Sequence, residues 1–125
     1  MPSILIADDD AAVRRFLRTV LEGGGHEVWE ASNGKEAEEL IRRTKFDLAI
    51  IDLVMPEREG LETIQSLTKE HPGLRIIAMS GFPGGHLGAM LQIAQRLGAK
   101  ASLPKPSSAE TVLETVQRVL GTVSP

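Results

Sequence analysis

Short apolar runs alternate along the chain with longer stretches in which apolar residues recur at the spacing of a helix face. Continuous apolar runs such as Ile4–Ala7 and Leu48–Ile51 are typical of strands that are buried on both faces of a parallel sheet. From Ala12 onward the apolar positions instead follow a helical period of about 3.6 residues. They are Val13, Phe16, Leu17, Val20 and Leu21. The two patterns alternate five times, which predicts five strand–helix units.

The same patterns place the remaining elements. Strands are predicted at Glu27–Ala31, at Leu74–Met79 and near Lys100–Leu103, and helices after Asn33, at Gly60–Glu70, near Ala89–Leu97 and after Ser107. The predicted helix N-caps are Asp10, Asn33 and Ser107. This alternation predicts an α/β fold with a doubly wound, five-stranded parallel sheet and helices on both faces. Residues 1–125 are expected to form one domain, without an output domain.

Composition and charge narrow the possible functions. Hydrophobic residues make up 42% of the chain, which is enough to fill a core. The net charge of −3 and the lack of a basic stripe argue against direct nucleic-acid binding. The absence of cysteine excludes thiolate metal sites. The sequence shows neither a signal peptide nor a long apolar span, so we expect a cytoplasmic protein that does not contact the membrane.

Several charged and titratable side chains are interpreted as ordinary surface residues. The arginines of the first predicted helix fall at helical spacing and are interpreted as a solvated face. The three histidines are scattered, without the spacing of metal ligands, and are predicted to lie at the surface. These residues are Arg14, Arg15, Arg18, His26, His71 and His86.

Polar residues follow four of the predicted strands at the point where each strand ends. Asp8, Asp9 and Asp10 follow the first strand, Asp52 the third, Ser80 the fourth and Lys105 the fifth. Ligands of an open parallel sheet bind outside the carboxyl ends of its strands. We therefore expect these side chains to lie together at one edge of the sheet.

The residue types at these strand ends suit phosphoryl transfer. Neighbouring carboxylates repel one another unless a cation lies between them, and Mg²⁺ prefers carboxylate, carbonyl and water oxygens. A carboxylate can also be the nucleophile that accepts a phosphoryl group. An ammonium and a hydroxyl group can then stabilise the transferred oxygens. The set is chemically complete for making an aspartyl phosphate.

Five motifs, in order, resemble the receiver domain of two-component response regulators, of the chemotaxis-regulator type. They are ILIADDD with Arg14 five positions past Asp9, DLVMP at Asp52–Pro56, Gly60 eight positions past Asp52, MSG around Ser80 and LPKP around Lys105. The resemblance covers essentially the whole chain. Each motif is weak alone, but their order and their positions in the predicted elements are highly specific.

This resemblance implies a flavodoxin-like (βα)5 fold with the strand order 2-1-3-4-5. The site residues that it implies are Asp52 as the phosphorylation site, Asp8, Asp9, Asp52 and the backbone carbonyl of Val54 as Mg²⁺ ligands, and Ser80 and Lys105 as catalytic residues on the phosphoryl group. The implied donor is a histidine kinase or a phosphotransfer protein, and the phosphorylated domain would signal to an output partner. Such a protein catalyses only its own phosphorylation and dephosphorylation and is otherwise not an enzyme.

Some positions depart from the family pattern. Ser102 stands where many receivers carry a Tyr or Phe that swings inward on activation, and Ser107 replaces a frequent Phe. Val54 and Phe82 occupy the variable positions thought to govern hydrolysis, and their apolar side chains cannot orient a water molecule. A long-lived phosphoryl group is therefore predicted. The glycine-rich segment 81–88 is predicted to be mobile and to become ordered on phosphorylation.

Two other functions agree with part of the sequence pattern. A phosphatase of the haloacid dehalogenase type would use Asp8 and Asp10 after an apolar strand. That family also needs an acidic pair after its lysine, whereas the acids that follow Lys105 all fall on the last predicted helix. A degenerate receiver, acting as a non-phosphorylated protein-binding module, would agree with the departure at Ser102. Such domains usually lose one of the site acids, and none is lost in this chain.

Overall fold

The computed structural model describes residues 1–53, 60–81, 87–105 and 107–121, with the backbone alone for residues 87–91. Within these residues strands and helices alternate strictly along the chain. The strands are β1 (Ser3–Ala7), β2 (Glu27–Ala31), β3 (Leu48–Asp52), β4 (Arg75–Ser80) and β5 (Ala101–Pro104), and the helices are α1 (Ala11–Gly23), α2 (Gly34–Arg43), α3 (Gly60–Glu70), α4 (Leu87–Leu97) and α5 (Ala109–Leu120). No helix in the described ranges is both long and apolar enough to cross a membrane.

The five strands form one parallel sheet with the order β2-β1-β3-β4-β5. The central strand β3 is buried along its whole length, which explains its continuous apolar sequence. The chain passes from β1 outward to β2 and then returns to β3 on the other side of β1. The strand order therefore reverses between β1 and β3. The predicted fold class and strand order are confirmed.

Successive residues of each strand point to opposite faces of the sheet, so helices must cover both faces. In β1, Ile4 and Ile6 belong to the core beneath α1 and α5, whereas Leu5 and Ala7 belong to the core beneath α2, α3 and α4. Burial of one large aliphatic side chain contributes about 1.5–3 kcal/mol. Both apolar layers fix the register of β1, because a shift by one residue would exchange its two faces.

Side chains cap the first two helices as predicted. Asp10 Oδ1 accepts a hydrogen bond from the backbone N–H of Ala12 at 2.9 Å. Asn33 Oδ1 accepts one from the backbone N–H of Glu36 at 2.8 Å, and the Glu36 carboxylate accepts in return from the backbone N–H of Ser32. These bonds satisfy donors that have no partner inside the helix.

The predicted cap of the last helix is wrong by one residue. The side chain of Ser108, not that of Ser107, accepts the hydrogen bond from the backbone N–H of Thr111, at 3.1 Å. Ser107 instead donates its hydroxyl hydrogen bond to the carbonyl of Pro104. Two consecutive serines offer the same capping chemistry, and the path of the chain after β5 decides which one is used.

Phe16 departs from the apolar pattern of its helix, and His26 lies in the opposite environment to the predicted one. Phe16 is 43% exposed although it shares the apolar periodicity of α1, because the helix directs Leu17 and Leu21 toward the sheet. His26, predicted at the surface, is only 8% exposed. Its backbone N–H donates to the carbonyl of Leu21 at 3.1 Å, which folds the chain tightly between α1 and β2.

Helix α3 begins at Gly60, directly against the end of β3. A Cβ atom at this position would lie 2.1 Å from the carbonyl oxygen of Asp52 and 2.5 Å from the Cα of Leu53. Both neighbours are backbone atoms, so no side-chain rotation could relieve the overlap. The backbone N–H of Gly60 also donates to the carbonyl of Leu53 at 3.2 Å. Glycine at this position therefore allows α3 to approach the strand end that carries Asp52.

We expect Gly60→Ala to lower the free energy of unfolding by about 1–3 kcal/mol, because the new methyl group overlaps backbone that must move. Gly23→Ala is the matched control, since nothing lies within 4 Å of a Cβ at that helix end. The control should be neutral or slightly stabilising, by up to about 1 kcal/mol. Urea denaturation measures both changes. Equal stabilities of the two variants would contradict the close approach at Gly60.

Candidate functional site

The carboxyl ends of β1 and β3 meet at the edge of the sheet where the strand order reverses. Asp8 follows β1 directly, Asp9 lies in the turn toward α1, and Asp52 is the last residue of β3. In open α/β sheets this crevice is where ligands bind. The fold therefore brings two strand ends that are 44 residues apart, at Asp8 and Asp52, to one place.

Three acids converge in this crevice. One carboxylate oxygen from each of Asp8, Asp9 and Asp52 lies within 4.8 Å of the other two. Asp8 and Asp52 are 0% and 3% exposed, whereas Asp9 is exposed to solvent. Carboxylates at this separation repel one another strongly when they have lost their water. The cluster therefore needs positive charge to remain ionised.

Lys105 supplies part of that charge. Its Nζ lies 2.8 Å from Asp8 Oδ2 and 3.1 Å from Asp52 Oδ2. Burial lowers the pKa of Lys105, but the bonds and charges of Asp8 and Asp52 outweigh this and raise the pKa above its ordinary value. The backbone N–H of Lys105 donates to the carbonyl of Ser80 at 2.6 Å, which ties the end of β5 to the end of β4. The lysine is therefore a fixed cation between the two buried acids.

Ser80 ends β4 at the same edge of the sheet and is 6% exposed. In the strand register it lies beside Pro104, the residue that precedes Lys105. On the other side of β4, Met79 pairs with Asp52. The strand ends thus gather the predicted acids, hydroxyl and ammonium at one edge, as the sequence pattern required.

The remaining predicted features lie outside the described residues. They are the carbonyl of Val54, the side chain of Phe82, His86 and most of the segment 81–88. The metal contact of Val54, the long phosphoryl lifetime and the mobility of this segment therefore stay predictions.

The arginines of α1 are the feature of this region that the sequence interpretation missed. Arg14 is only 17% exposed; its Nη1 donates to the backbone carbonyl of Asp8 at 2.5 Å and its Nε to Glu30 at 3.1 Å. Arg18 donates to the same glutamate at 2.6 Å. The predicted solvated face is thus wrong for Arg14, whereas Arg15 is exposed and Arg18 keeps 41% of its side chain exposed while it pairs with Glu30. The fixed position of Arg14 in the first motif could have indicated a role beside the acids. Its ion-pair partner Glu30 lies on another strand, which the sequence does not reveal.

An apolar groove of about 580 Å³ opens beside Lys105, between α1 and α5; we call it the α1–α5 groove. Phe16 forms one side of it, and Ser107 lines it where a Phe is frequent in receivers. The other lining residues are Ala12, Val13, Leu17, Met79, Gly81, Leu103, Pro104, Lys105 and Val112. The groove therefore joins an exposed aromatic side chain to the charged site.

The sequence profile described as "Response regulator receiver domain" matches residues 4–117. The chain belongs to this family. Receiver domains are signalling modules rather than classical enzymes, and they interact with histidine kinases or phosphotransfer proteins and with output domains. The resemblance drawn from the five motifs is confirmed, and the acidic pocket of Asp8, Asp9 and Asp52 is typical for phosphorylation.

Individual relatives agree with the family assignment of this receiver domain. The chemotaxis protein CheY of Thermotoga maritima is 35% identical over 117 residues, which cover 93% of this chain and 95% of that protein. The DNA-binding transcriptional regulator NtrC of Azospirillum brasilense is 37% identical over 123 residues, which cover 98% of this chain but only 25% of NtrC. A crystal structure of the response regulator TrrA from Thermotoga maritima, in complex with Mg²⁺–BeF, aligns with a TM-score of 0.84 at 28% identity and covers 95% of this chain and 99% of TrrA.

The donor set of the site fits the hard divalent cation that receiver domains bind at an acidic pocket. The three clustered acids offer only oxygen ligands, which Mg²⁺ prefers. When all three are ionised, the single charge of Lys105 leaves a net charge of −2 (−3 + 1) among the four side chains. A divalent cation balances that charge, whereas a second monovalent cation would not.

We expect Lys105→Met to tighten Mg²⁺ binding about tenfold, or about 1.4 kcal/mol, because the cation would no longer compete with an ammonium for Asp8 and Asp52. Titration followed by NMR chemical shifts measures this affinity. Lys100→Met is the matched control, since Lys100 is exposed at the opposite end of β5 and should leave the affinity unchanged. Weaker Mg²⁺ binding by Lys105→Met would show that the lysine supports the metal site rather than competing with it.

Proposed function

We propose that this receiver domain accepts a phosphoryl group on Asp52 in a Mg²⁺-dependent reaction and changes conformation to signal to a partner. The observation that supports this best is the environment of Asp52: a buried carboxylate at a strand end, clustered with Asp8 and Asp9 and 3.1 Å from the ammonium of Lys105. A carboxylate that only served the fold would not need two further acids beside it. The cost of burying Asp8 and Asp52 beside a third acid points to a function.

Asp8, Asp9 and Asp52 would hold the cation, with the carbonyl of Val54 as the further ligand implied by the family pattern. When bound, Mg²⁺ supplies positive charge to the oxygens of the transferred group. Asp8 and Asp52 form the buried side of the site, and the exposed Asp9 lies on the side that solvent and a donor can reach. The structure of TrrA with Mg²⁺–BeF supports such an occupant in a related domain.

The side chains of this chain then carry the transfer. One oxygen of the Asp52 carboxylate forms a bond to the phosphorus of a phosphohistidine, and the P–N bond to the donor imidazole breaks. The imidazole nitrogen keeps the electron pair of that bond and takes up a proton. Lys105 stands 3.1 Å from Asp52 and would neutralise the added oxygens. The protein thus catalyses only its own phosphorylation and, with water as the acceptor, its own dephosphorylation.

The new phosphoryl group changes the balance of contacts at the sheet edge. It carries about two negative charges and new acceptor oxygens, which would draw Lys105 away from Asp8 and attract the hydroxyl of Ser80. Because Ser80 ends β4 and Lys105 follows β5 directly, these moves would reach the surface formed by α4, β5 and α5. The small Ser102 on β5 would transmit them without a swinging aromatic side chain. The readout would be an output partner or domain that binds one of the two states.

The donor is proposed to be a histidine kinase or a phosphotransfer protein that packs into the α1–α5 groove. Phe16 is 43% exposed there, on the surface next to the site and beside Lys105. Exposed aromatic side chains at the mouth of an apolar groove are typical of protein-binding sites. A donor helix that covers the groove would also bring its phosphohistidine near Asp52.

Intact mass after incubation with acetyl phosphate tests the phosphorylation. We expect a gain of one phosphoryl group that requires Mg²⁺ and is lost in Asp52→Asn, because the amide is not a nucleophile toward phosphorus. Asp47→Asn is the control, since Asp47 is exposed just before the opposite end of β3 and should leave phosphorylation intact. No mass gain in the wild type, together with binding of a kinase, would instead favour the degenerate-receiver function.

Phe16→Ala tests the donor surface. The phosphoryl donor in this test is a histidine phosphotransfer protein that phosphorylates the wild type. We expect the substitution to slow phosphotransfer from this donor about tenfold, which corresponds to the loss of about 1.4 kcal/mol of interface contact. Phosphorylation by acetyl phosphate should not change, because that donor is too small to need the groove. Ile93→Ala on α4 is the matched control, since Ile93 is also 43% exposed but lies outside the groove. An equal effect of both substitutions on phosphotransfer would count against the groove as the docking surface.

A further inference from the structure

The side chain of Arg14 connects three elements around the acidic cluster. It leaves α1, donates through Nε to Glu30 on β2 at 3.1 Å, and donates through Nη1 to the backbone carbonyl of Asp8 at 2.5 Å. Its 17% exposure shows that the guanidinium is largely enclosed by these partners. A planar guanidinium can hold two acceptors at fixed directions at once, which a lysine ammonium on a flexible stem does less well.

The contact with Arg14 completes the fixation of Asp8. The backbone N–H of Asp8 donates to the carbonyl of Ala31 at 3.1 Å, and its Oδ1 accepts from the backbone N–H of Asp10 at 2.8 Å. With its carbonyl held by Arg14, the peptide group between Asp8 and Asp9 is held in one orientation. All the polar groups of Asp8 that do not face the cluster are thereby engaged.

Asp9 depends on that orientation more than the other two acids do. It is exposed, and within the described residues no hydrogen bond or ion pair fixes its carboxylate. Asp8 and Asp52 are buried and paired with Lys105. The direction of the Asp9 side chain toward the cluster is therefore set by the backbone of the β1–α1 turn, and Arg14 holds that backbone.

The charge of Arg14 is balanced locally, so its main effect is geometric. Glu30 accepts hydrogen bonds from both Arg18 and Arg14. Its hydrogen bond with Arg18 is the main cause that lowers the pKa of Glu30; burial raises this pKa, and the bond with Arg14 lowers it further. Glu30 thus stays a carboxylate, and its negative charge offsets much of the repulsion that Arg14 would otherwise exert on a bound cation.

We propose that Arg14 is a positioning residue for the divalent-cation site: it fixes the Asp8–Asp9 peptide so that the exposed Asp9 carboxylate joins the two buried acids. This inference rests on the proposed function, because it concerns the same cation. Groups that orient metal ligands without touching the metal typically change its affinity by about 10- to 100-fold when they are removed.

A simpler role for Arg14 would be to clamp α1 to β2. Arg18 provides the comparison, because it ties the same helix to the same strand, through Glu30 at 2.6 Å and through the carbonyl of Val28 at 3.0 Å. Among the described residues, Arg18 forms hydrogen bonds and ion pairs with Glu22, Glu30 and Val28 and none with Asp8 or Asp9. The two arginines therefore share the clamp and differ in their contact with the acidic cluster.

The test is an NMR titration of the unphosphorylated full chain with Mg²⁺, at fixed ionic strength, for the wild type, Arg14→Met and Arg18→Met. We expect both variants to lose a similar amount of stability in urea, because each loses one clamp. The Kd for Mg²⁺ should rise about tenfold in Arg14→Met and change less than about twofold in Arg18→Met. Arg14→Lys keeps the charge but holds its acceptors less well, and it should give an intermediate Kd.

Other outcomes overturn the inference. An unchanged Kd in Arg14→Met would reduce Arg14 to a clamp, and a lower Kd would mean that it acts only as a nearby positive charge. If Arg14→Met does not fold, Arg14→Lys decides, and a wild-type Kd in that variant overturns the proposal. A wild type that binds no Mg²⁺ overturns the proposed function together with this inference, whereas normal binding by the wild type and equal binding by Arg14→Met overturn this inference alone.

Discussion

Asp8 and Asp52 are almost completely buried at the ends of neighbouring strands, where each carboxylate has lost most of its water. An isolated buried carboxylate is costly, and two in contact with a third acid are more so. Lys105 lies between the two buried acids and offsets part of this cost. Removing one partner of such a group leaves an uncompensated charge, which is why buried ion pairs are sensitive to change. Lys105 alone leaves the cluster with excess negative charge when all three acids are ionised, and a bound cation would offset that charge.

Under the proposed function, that balance would carry the effect of a covalent change at Asp52 to other parts of the domain. A phosphoryl group on Asp52, as proposed, would replace one buried charge with a larger one and would attract Lys105. Lys105 and Ser80 are the residues at the ends of β5 and β4, and a backbone hydrogen bond of 2.6 Å connects them. A shift of either residue thus displaces the edge of the sheet rather than one side chain. Ser102 carries no aromatic ring, so in the proposed switch the backbone would have the larger part in this transmission.

The surroundings of the site are rigid on one side and open on the other. On the rigid side, Arg14, Arg18 and Glu30 fasten α1 to β2 and hold the carbonyl of Asp8. On the open side, Asp9 is exposed and Phe16 borders the α1–α5 groove. The phosphoacceptor role proposed for Asp52 would need both properties, because the reacting atoms must be fixed while a donor still has to reach them.

The sequence by itself determined the order and type of the elements, and hence the edge of the sheet at which Asp8, Asp52, Ser80 and Lys105 lie, at or directly after their strand ends. Apolar runs, helical periodicity and turn residues are local signals, and the fixed topology of strand–helix units places strand ends together. Only the tertiary structure decided which of two adjacent serines caps α5, that His26 is buried, and that Phe16 is exposed. It also decided that Arg14 and Arg18 share Glu30, 16 and 12 residues away along the chain. These features depend on how each helix is rotated over the sheet and on which side chains of other strands it meets, which no local pattern contains.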